Sequence, residues 1–175
     1  MYFRFAVIAL LMISINSYSA EYFSGHTKKV AFGDTLDQDL FAGCQNIDVF
    51  GYAAGDIYAG CETVTIDGKV QDDVLVGCRN FKLTGIINDG LIVFAETITI
   101  DGTVRGDVLA FGRQVRLTRD ARLEGNLFTG CGELMLEGAP VAGFIKGGAG
   151  YALLDGRVGG EVELEVEKVE FGSDY

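Results

Sequence analysis

Proline occurs once in these 175 residues, histidine once and tryptophan not at all, and lysine and arginine together number 14 against 25 acidic residues. Each scarcity removes something. The excess of acid argues against nucleic acid as a partner, because phosphate would be repelled, and favours solubility. The only histidine, His26, precedes the repeating part of the chain, so no imidazole is available between repeats for acid–base work. No Cys-x-x-Cys occurs, which leaves Cys44, Cys61, Cys78 and Cys131 without a zinc spacing. Without tryptophan, and with Tyr52, Tyr58 and Tyr151 not forming a column, a stacking platform for sugars is not expected. Beyond the first twenty residues there is neither a 3.6-residue periodicity nor an apolar run long enough to span a bilayer.

What is abundant is glycine, with 25 residues, and the chain repeats itself. Units begin at Val30, Ile47, Val64, Phe81, Ile98, Val115, Leu134 and Ala152, with a partial unit at Val169, so the period is 17 to 19 residues. Self-similarity at so short a period is the mark of a solenoid, in which each repeat lays one coil on the last. Apolar residues fall into four columns. The unit starts form the first, and Phe32, Val49, Ile66, Leu83, Ile100, Leu117, Leu136 and Leu154 the second. The third runs Leu36, Ala53, Val70, Ile87, Val104, Leu123, Val141, Val158, and the fourth Leu40, Ile57, Val74, Leu91, Val108, Leu127, Phe144, Val162. Spacing of two within a unit is strand spacing, one side chain in and the next out. Gly51, Gly68, Gly85, Gly102, Gly138 and Gly156 recur five places into their units, which marks a corner that needs positive φ or a close approach of backbones. Many corners and few prolines suit unbroken backbone ladders.

The expected fold is therefore all-β: a single-domain parallel β-helix of about eight coils. Right-handed crossovers dominate in parallel sheets, so a right-handed helix is expected. The left-handed rival needs a strict six-residue repeat, and 17 is not a multiple of six.

Residues 1–20 read as a secretory signal peptide, with Arg4 ahead of an apolar stretch from Phe5 to Ile15 and small residues at Ser17 and Ser19. Residues 21–29 are expected to cap the β-helix, which occupies 30–175. The expected location is the periplasm or outside the cell, with no transmembrane helix in the mature chain. Arg4 is the only charged residue of the leader, so 13 basic and 25 acidic residues remain after its loss, a formal charge of −12.

All four cysteines hold the same place in their units, alternating with Ala95 and Gly112. Two readings stand: a ladder of thiols acting as small apolar residues, or one disulfide between adjacent coils, Cys44–Cys61 or Cys61–Cys78, with Cys131 free. Asp39, Asp56, Asp73, Asp107 and Glu161 form an acidic column broken by Gly90 and Asn126, read as solvated turns in preference to a calcium ladder or a catalytic carboxylate pair. Arg105, Arg113, Arg116, Arg119 and Arg122 concentrate positive charge in units five and six, read as a solvated face in preference to an anion patch.

Several units run Gly-Asp-aliphatic-aliphatic-x-Gly: "GDIYAGC" at 55–61, "DDVLVGC" at 72–78 and "GDVLAFG" at 106–112, preceded by "IDGKV" and "IDGTV". Over residues 30–168 this resembles the bactofilins, polymer-forming cytoskeletal β-helix proteins. The resemblance implies a right-handed β-helix that polymerises through its ends without nucleotide, serves as a scaffold and carries no catalytic residues or cofactor. Bactofilins are usually cytoplasmic, with disordered tails and slightly longer repeats, so an exported relative of the same architecture is expected.

The expected function is that of a non-enzymatic, self-associating scaffold of the cell envelope. Open coils expose strand edges that template another copy, and the candidate joint is Lys28, Lys29, Val30 and Phe32 at one end with Val166, Val169 and Phe171 at the other. The alternative is a monomeric binding module for an envelope polysaccharide or protein.

Overall fold

The computed structural model describes residues 20–173. Nearly all of the expected signal peptide lies outside the described residues. No helix occurs among the described residues. The strands are β1 (Glu21–Val30), β2 (Thr35–Leu36), β3 (Leu40–Val49), β4 (Tyr52–Ala53), β5 (Ile57–Gly60), β6 (Thr63–Ile66), β7 (Lys69–Val70) and β8 (Val74–Leu83). They continue as β9 (Ile86–Ile87), β10 (Leu91–Ile100), β11 (Thr103–Val104), β12 (Val108–Leu117), β13 (Arg122–Leu123), β14 (Leu127–Glu137), β15 (Ile145–Asp155) and β16 (Val162–Phe171).

Every pairing is parallel and joins one coil to the next. The large sheet runs β1-β3-β5-β8-β10-β12-β14-β15-β16, with β6 pairing β3 and β8 beside β5. That is nine rungs, because residues 21–29 form most of a full strand ahead of the first unit. A six-stranded sheet, β13-β11-β9-β7-β4-β2, makes a narrower face. Isolated bridges Leu123–Val141 and Val141–Val158 carry that face onward. The chain is a β-solenoid.

The alternation expected from the sequence accounts for the core. In β10 the burial of Leu91, Val93, Ala95, Ile98 and Ile100 skips two positions between Ala95 and Ile98. Two successive residues point outward there, so each long strand bends around a corner and serves two faces. The third column pairs as expected, Leu36 with Ala53 and on to Val158. Like residues stack over like residues, and the core from Leu40 to Leu154 is almost dry.

Two registers differ from the sequence reading. Val30 pairs with Val49 rather than Ile47, and Lys28 takes the place opposite Ile47. Val30 therefore belongs to the second column, and Phe32 to none: it is 93% exposed. The cause is a turn at Ala31–Asp34, closed by Asp34 N–H donating to Ala31 O at 3.0 Å, with Gly33 at φ 86°. A similar insertion at Thr118–Ala121 lengthens the sixth unit, closed by Ala121 N–H on Thr118 O at 3.0 Å. In the fourth column Ile145, not Phe144, pairs with Leu127 and Val162 and is fully buried.

The recurring corner glycines divide into two kinds. Gly68, Gly85 and Gly102 have no positive φ, but a Cβ on them would lie 2.0, 1.9 and 2.1 Å from the carbonyl oxygen one coil back. They are glycine because coils touch there. Gly138, at φ 83°, is glycine for its backbone conformation.

Candidate functional site

The solenoid offers four features that bear on function: its two ends, a thiol column, polar ladders at its corners, and outward faces.

The ends are chemically unlike. In β1 the positions that continue the core columns are Glu21, Phe23, Gly25, Lys28 and Val30, in register with Leu40, Ala42, Cys44, Ile47 and Val49. Lys28 is ion-paired to Glu21, and its Nζ lies 5.8 Å from the centre of the Phe23 ring. Charge turned inward on a terminal strand guards an edge against indiscriminate pairing. Val30 is 5% exposed, and Lys29 lies 5.3 Å from the Phe50 ring. In β16 the corresponding positions are Val162, Leu164, Val166, Val169 and Phe171, all apolar. Val169 is 39% and Phe171 59% exposed, while Glu163, Glu165, Glu167 and Glu170 point to solvent. Two of these acids are balanced, Glu163 by Lys146 at 2.9 Å and Glu170 by Lys168 at 2.7 Å. Glu170 is held below the usual carboxylate range by hydrogen bonds from Lys168 and Tyr151.

The four cysteines are free and half-buried at one core position. Cys44, Cys61 and Cys78 occupy three consecutive rungs, followed by Ala95, Gly112, Cys131 and Ala149. The sulfurs of Cys44 and Cys61 are 3.1 Å apart. Burial, then the hydrogen bond to Cys44, pushes the Cys61 thiol up to about 12, and burial pushes Cys78 to about 11. Such thiols are poor nucleophiles at neutral pH.

The acidic column has a specific structural job. Asp39 Oδ1 accepts the N–H of Asp56 at 3.0 Å, Asp56 that of Asp73 at 2.9 Å, and Asp73 that of Gly90 at 2.8 Å. Asp107 accepts from Asn126 N–H at 2.9 Å, and the Asn126 carboxamide oxygen from Phe144 N–H at 3.1 Å. Each side chain thus satisfies the corner amide one coil on. Asp72 sits among these acids, its carboxyl raised by burial and by the charges of Asp56, Asp89, Asp39 and Asp73. Among the described residues no group of three or more His, Cys, Asp or Glu is arranged to hold a metal ion.

The arginines do not converge. Arg116 makes a two-pronged bridge to Glu137 at 2.9 and 2.7 Å. Arg113 lies 3.6 Å from Glu96 and Arg105 4.0 Å from Glu124. These exposed pairs fit a balanced, solvated face. Arg122 instead borders, with Arg157, an open groove of about 870 Å³ around Pro140 on the narrow face. A second groove of about 900 Å³, bordered by Phe32, Lys29 and Tyr52, lies beside the turn at Ala31–Asp34.

The outward face of the large sheet carries what the sequence reading missed. An unbroken apolar column runs from Tyr22 through Phe41, Tyr58, Leu75, Ile92 and Leu109 to Phe128. At about 4.8 Å per rung the stripe is roughly 29 Å long. Tyr58 stacks on Phe41 with ring centres 4.8 Å apart, and Phe41 on Tyr22 at 5.3 Å. Tyr52, Tyr58 and Tyr151 form no column, as expected; Tyr58 stands instead with Phe41 and Tyr22. The signal was present in the motif, whose second aliphatic residue is this outward position.

No helix among the described residues is long and apolar enough to cross a membrane. No family model, curated protein or solved structure matches this chain.

Proposed function

We propose that this chain is a non-enzymatic structural subunit of the cell envelope that associates with copies of itself through the ends of its solenoid, without nucleotide. The observation that carries this reading is the last rung. β16 pairs on one side only within the described residues, and its core-facing positions are apolar and partly open, ending in Val169 and Phe171. A strand edge with an apolar inner row is a template for another strand. Continuing the columns head to tail would set the next subunit's Phe23 over Leu164, its Gly25 over Val166 and its Val30 over Phe171. The Glu21–Lys28 pair would meet Val162 and Val169 with its charges already balanced within its own strand. A head-to-tail contact of this kind makes an open filament. The resemblance of the Gly-Asp-aliphatic repeats to bactofilins supports the same reading, and the expected signal peptide supports the envelope as the place.

The test is sedimentation of residues 21–175 over a wide concentration range, with negative-stain microscopy. Growth with concentration is expected, and Phe171→Glu should raise the concentration at which it begins by tenfold or more while leaving the circular dichroism spectrum unchanged. A monomer at every concentration sinks the reading.

The apolar stripe favours a second reading, a monomeric module that binds an envelope protein along its large face. A persistent monomer whose binding to such a partner is lost on Leu75→Asp would establish it.

A further inference from the structure

We propose that Cys44 and Cys61 form a reversible disulfide that latches the second rung to the third, making this column a thiol-redox site. The proposal rests on the fold and not on self-association. Stacked residues on parallel rungs have Cα atoms about 4.8 Å apart, inside the range disulfides span. Parallel Cβ vectors are poorly aimed for a bond, yet here the sulfurs already sit 3.1 Å apart, so a small rotation of each side chain brings them to the roughly 2.05 Å of a disulfide.

The column offers a second pair at the same rung spacing, Cys61 and Cys78. The 3.1 Å sulfur contact of Cys61 is with Cys44. Cys131 lies between Gly112 and Ala149 and has no thiol one rung away. The geometry therefore selects one pair of four thiols. Both members are half-buried, so a small oxidant reaches them.

The co-reactant is a low-molecular-weight disulfide of the glutathione type. The Cys44 thiolate attacks one of its sulfurs, expelling one small thiol and leaving a mixed disulfide on Cys44. Cys61 then gives its proton to solvent and attacks the Cys44 sulfur, forming the Sγ–Sγ bond and expelling the second small thiol. The protein loses two protons and two electrons, and the small disulfide becomes two thiols. Cys61 is the slow partner because burial holds its proton, so closure should quicken as pH rises from about 7 to about 9.

The experiment treats the purified full chain with excess oxidised glutathione, counts thiols with a chromogenic reagent and maps the linkage by peptide mass spectrometry. Two of the four thiols should disappear, the peptides bearing Cys44 and Cys61 should be joined, and Tm should rise by roughly 6–12 °C, reversed by dithiothreitol. The double variant Cys78→Ser, Cys131→Ser should still close, and Cys44→Ser should lose the Tm rise. Protein that emerges with two thiols supports the proposal equally where its disulfide maps to Cys44 and Cys61 and reduction restores all four. Four thiols surviving the oxidant, or a bond between Cys61 and Cys78, overturns it, and the wild-type count stands even if a variant does not fold.

Discussion

At one corner of most coils a residue's side chain does what a backbone carbonyl does elsewhere. The amide of Asp73 takes the carboxylate of Asp56 at 2.9 Å, and four coils share the arrangement from Asp39 to Gly90. Asn126 holds the same place and accepts the amide of Phe144 with a neutral oxygen, so the requirement is for an acceptor and not for charge. Asp56→Asn should therefore leave Tm within about 2 °C, whereas Asp56→Ala strands the Asp73 amide and should cost about 1–2 kcal/mol, or roughly 2–8 °C. Thermal melts of the two variants side by side decide it, and equal losses would return the column to the solvated-turn reading. The column of acids was legible in the sequence because it repeats. Its partner was not, since which way a corner amide points depends on the backbone between two strands and leaves no trace in residue type.

Two glycine columns look alike in sequence and differ in the element they build. At Gly85 a Cβ would sit 1.9 Å from the Gly68 carbonyl oxygen, backbone that cannot step aside without parting two coils. At Gly60 nothing lies within 4 Å of the same added atom, because that position faces outward from β5. Gly85→Ala is expected to lower Tm by ten degrees or more or to prevent folding, and Gly60→Ala to be neutral or stabilising by about 0.4–1 kcal/mol through the unfolded chain. Chemical denaturation of both variants checks the contrast. The same scale explains where register failed. The insertion at Thr118–Ala121 was visible because complete units flank it. The one at Ala31–Asp34 lies at the edge of the repeat, so Val30 and Phe32 were aligned from the wrong side of the turn. Phe144 and Ile145 are both large and apolar, and only the backbone pairing shows that Phe144 stands in the acidic column while Ile145 enters the core.

For the whole molecule, joining ends brings like charges together. Residues 21–175 carry a formal charge of −12. Attraction between the lysines of one end and the glutamates of the other is largely spent within each subunit. Lys28 is paired to Glu21, Glu163 to Lys146 and Glu170 to Lys168. What remains across a head-to-tail joint is Lys29, itself over Phe50, set over Glu170, which Lys168 already balances. General repulsion between acidic subunits then outweighs a few exposed contacts, and the gain on joining comes from covering Leu164, Val166, Val169 and Phe171. Salt shortens the reach of that repulsion to about 10 Å at 0.1 M and about 3 Å at 1 M, and leaves apolar burial in place. Sedimentation at rising salt should therefore show association beginning at lower protein concentration, by severalfold between 0.02 M and 0.3 M. Dissolution by salt would instead assign the joint to the charged contacts, and Lys29→Glu would then abolish it where Phe171→Glu does not.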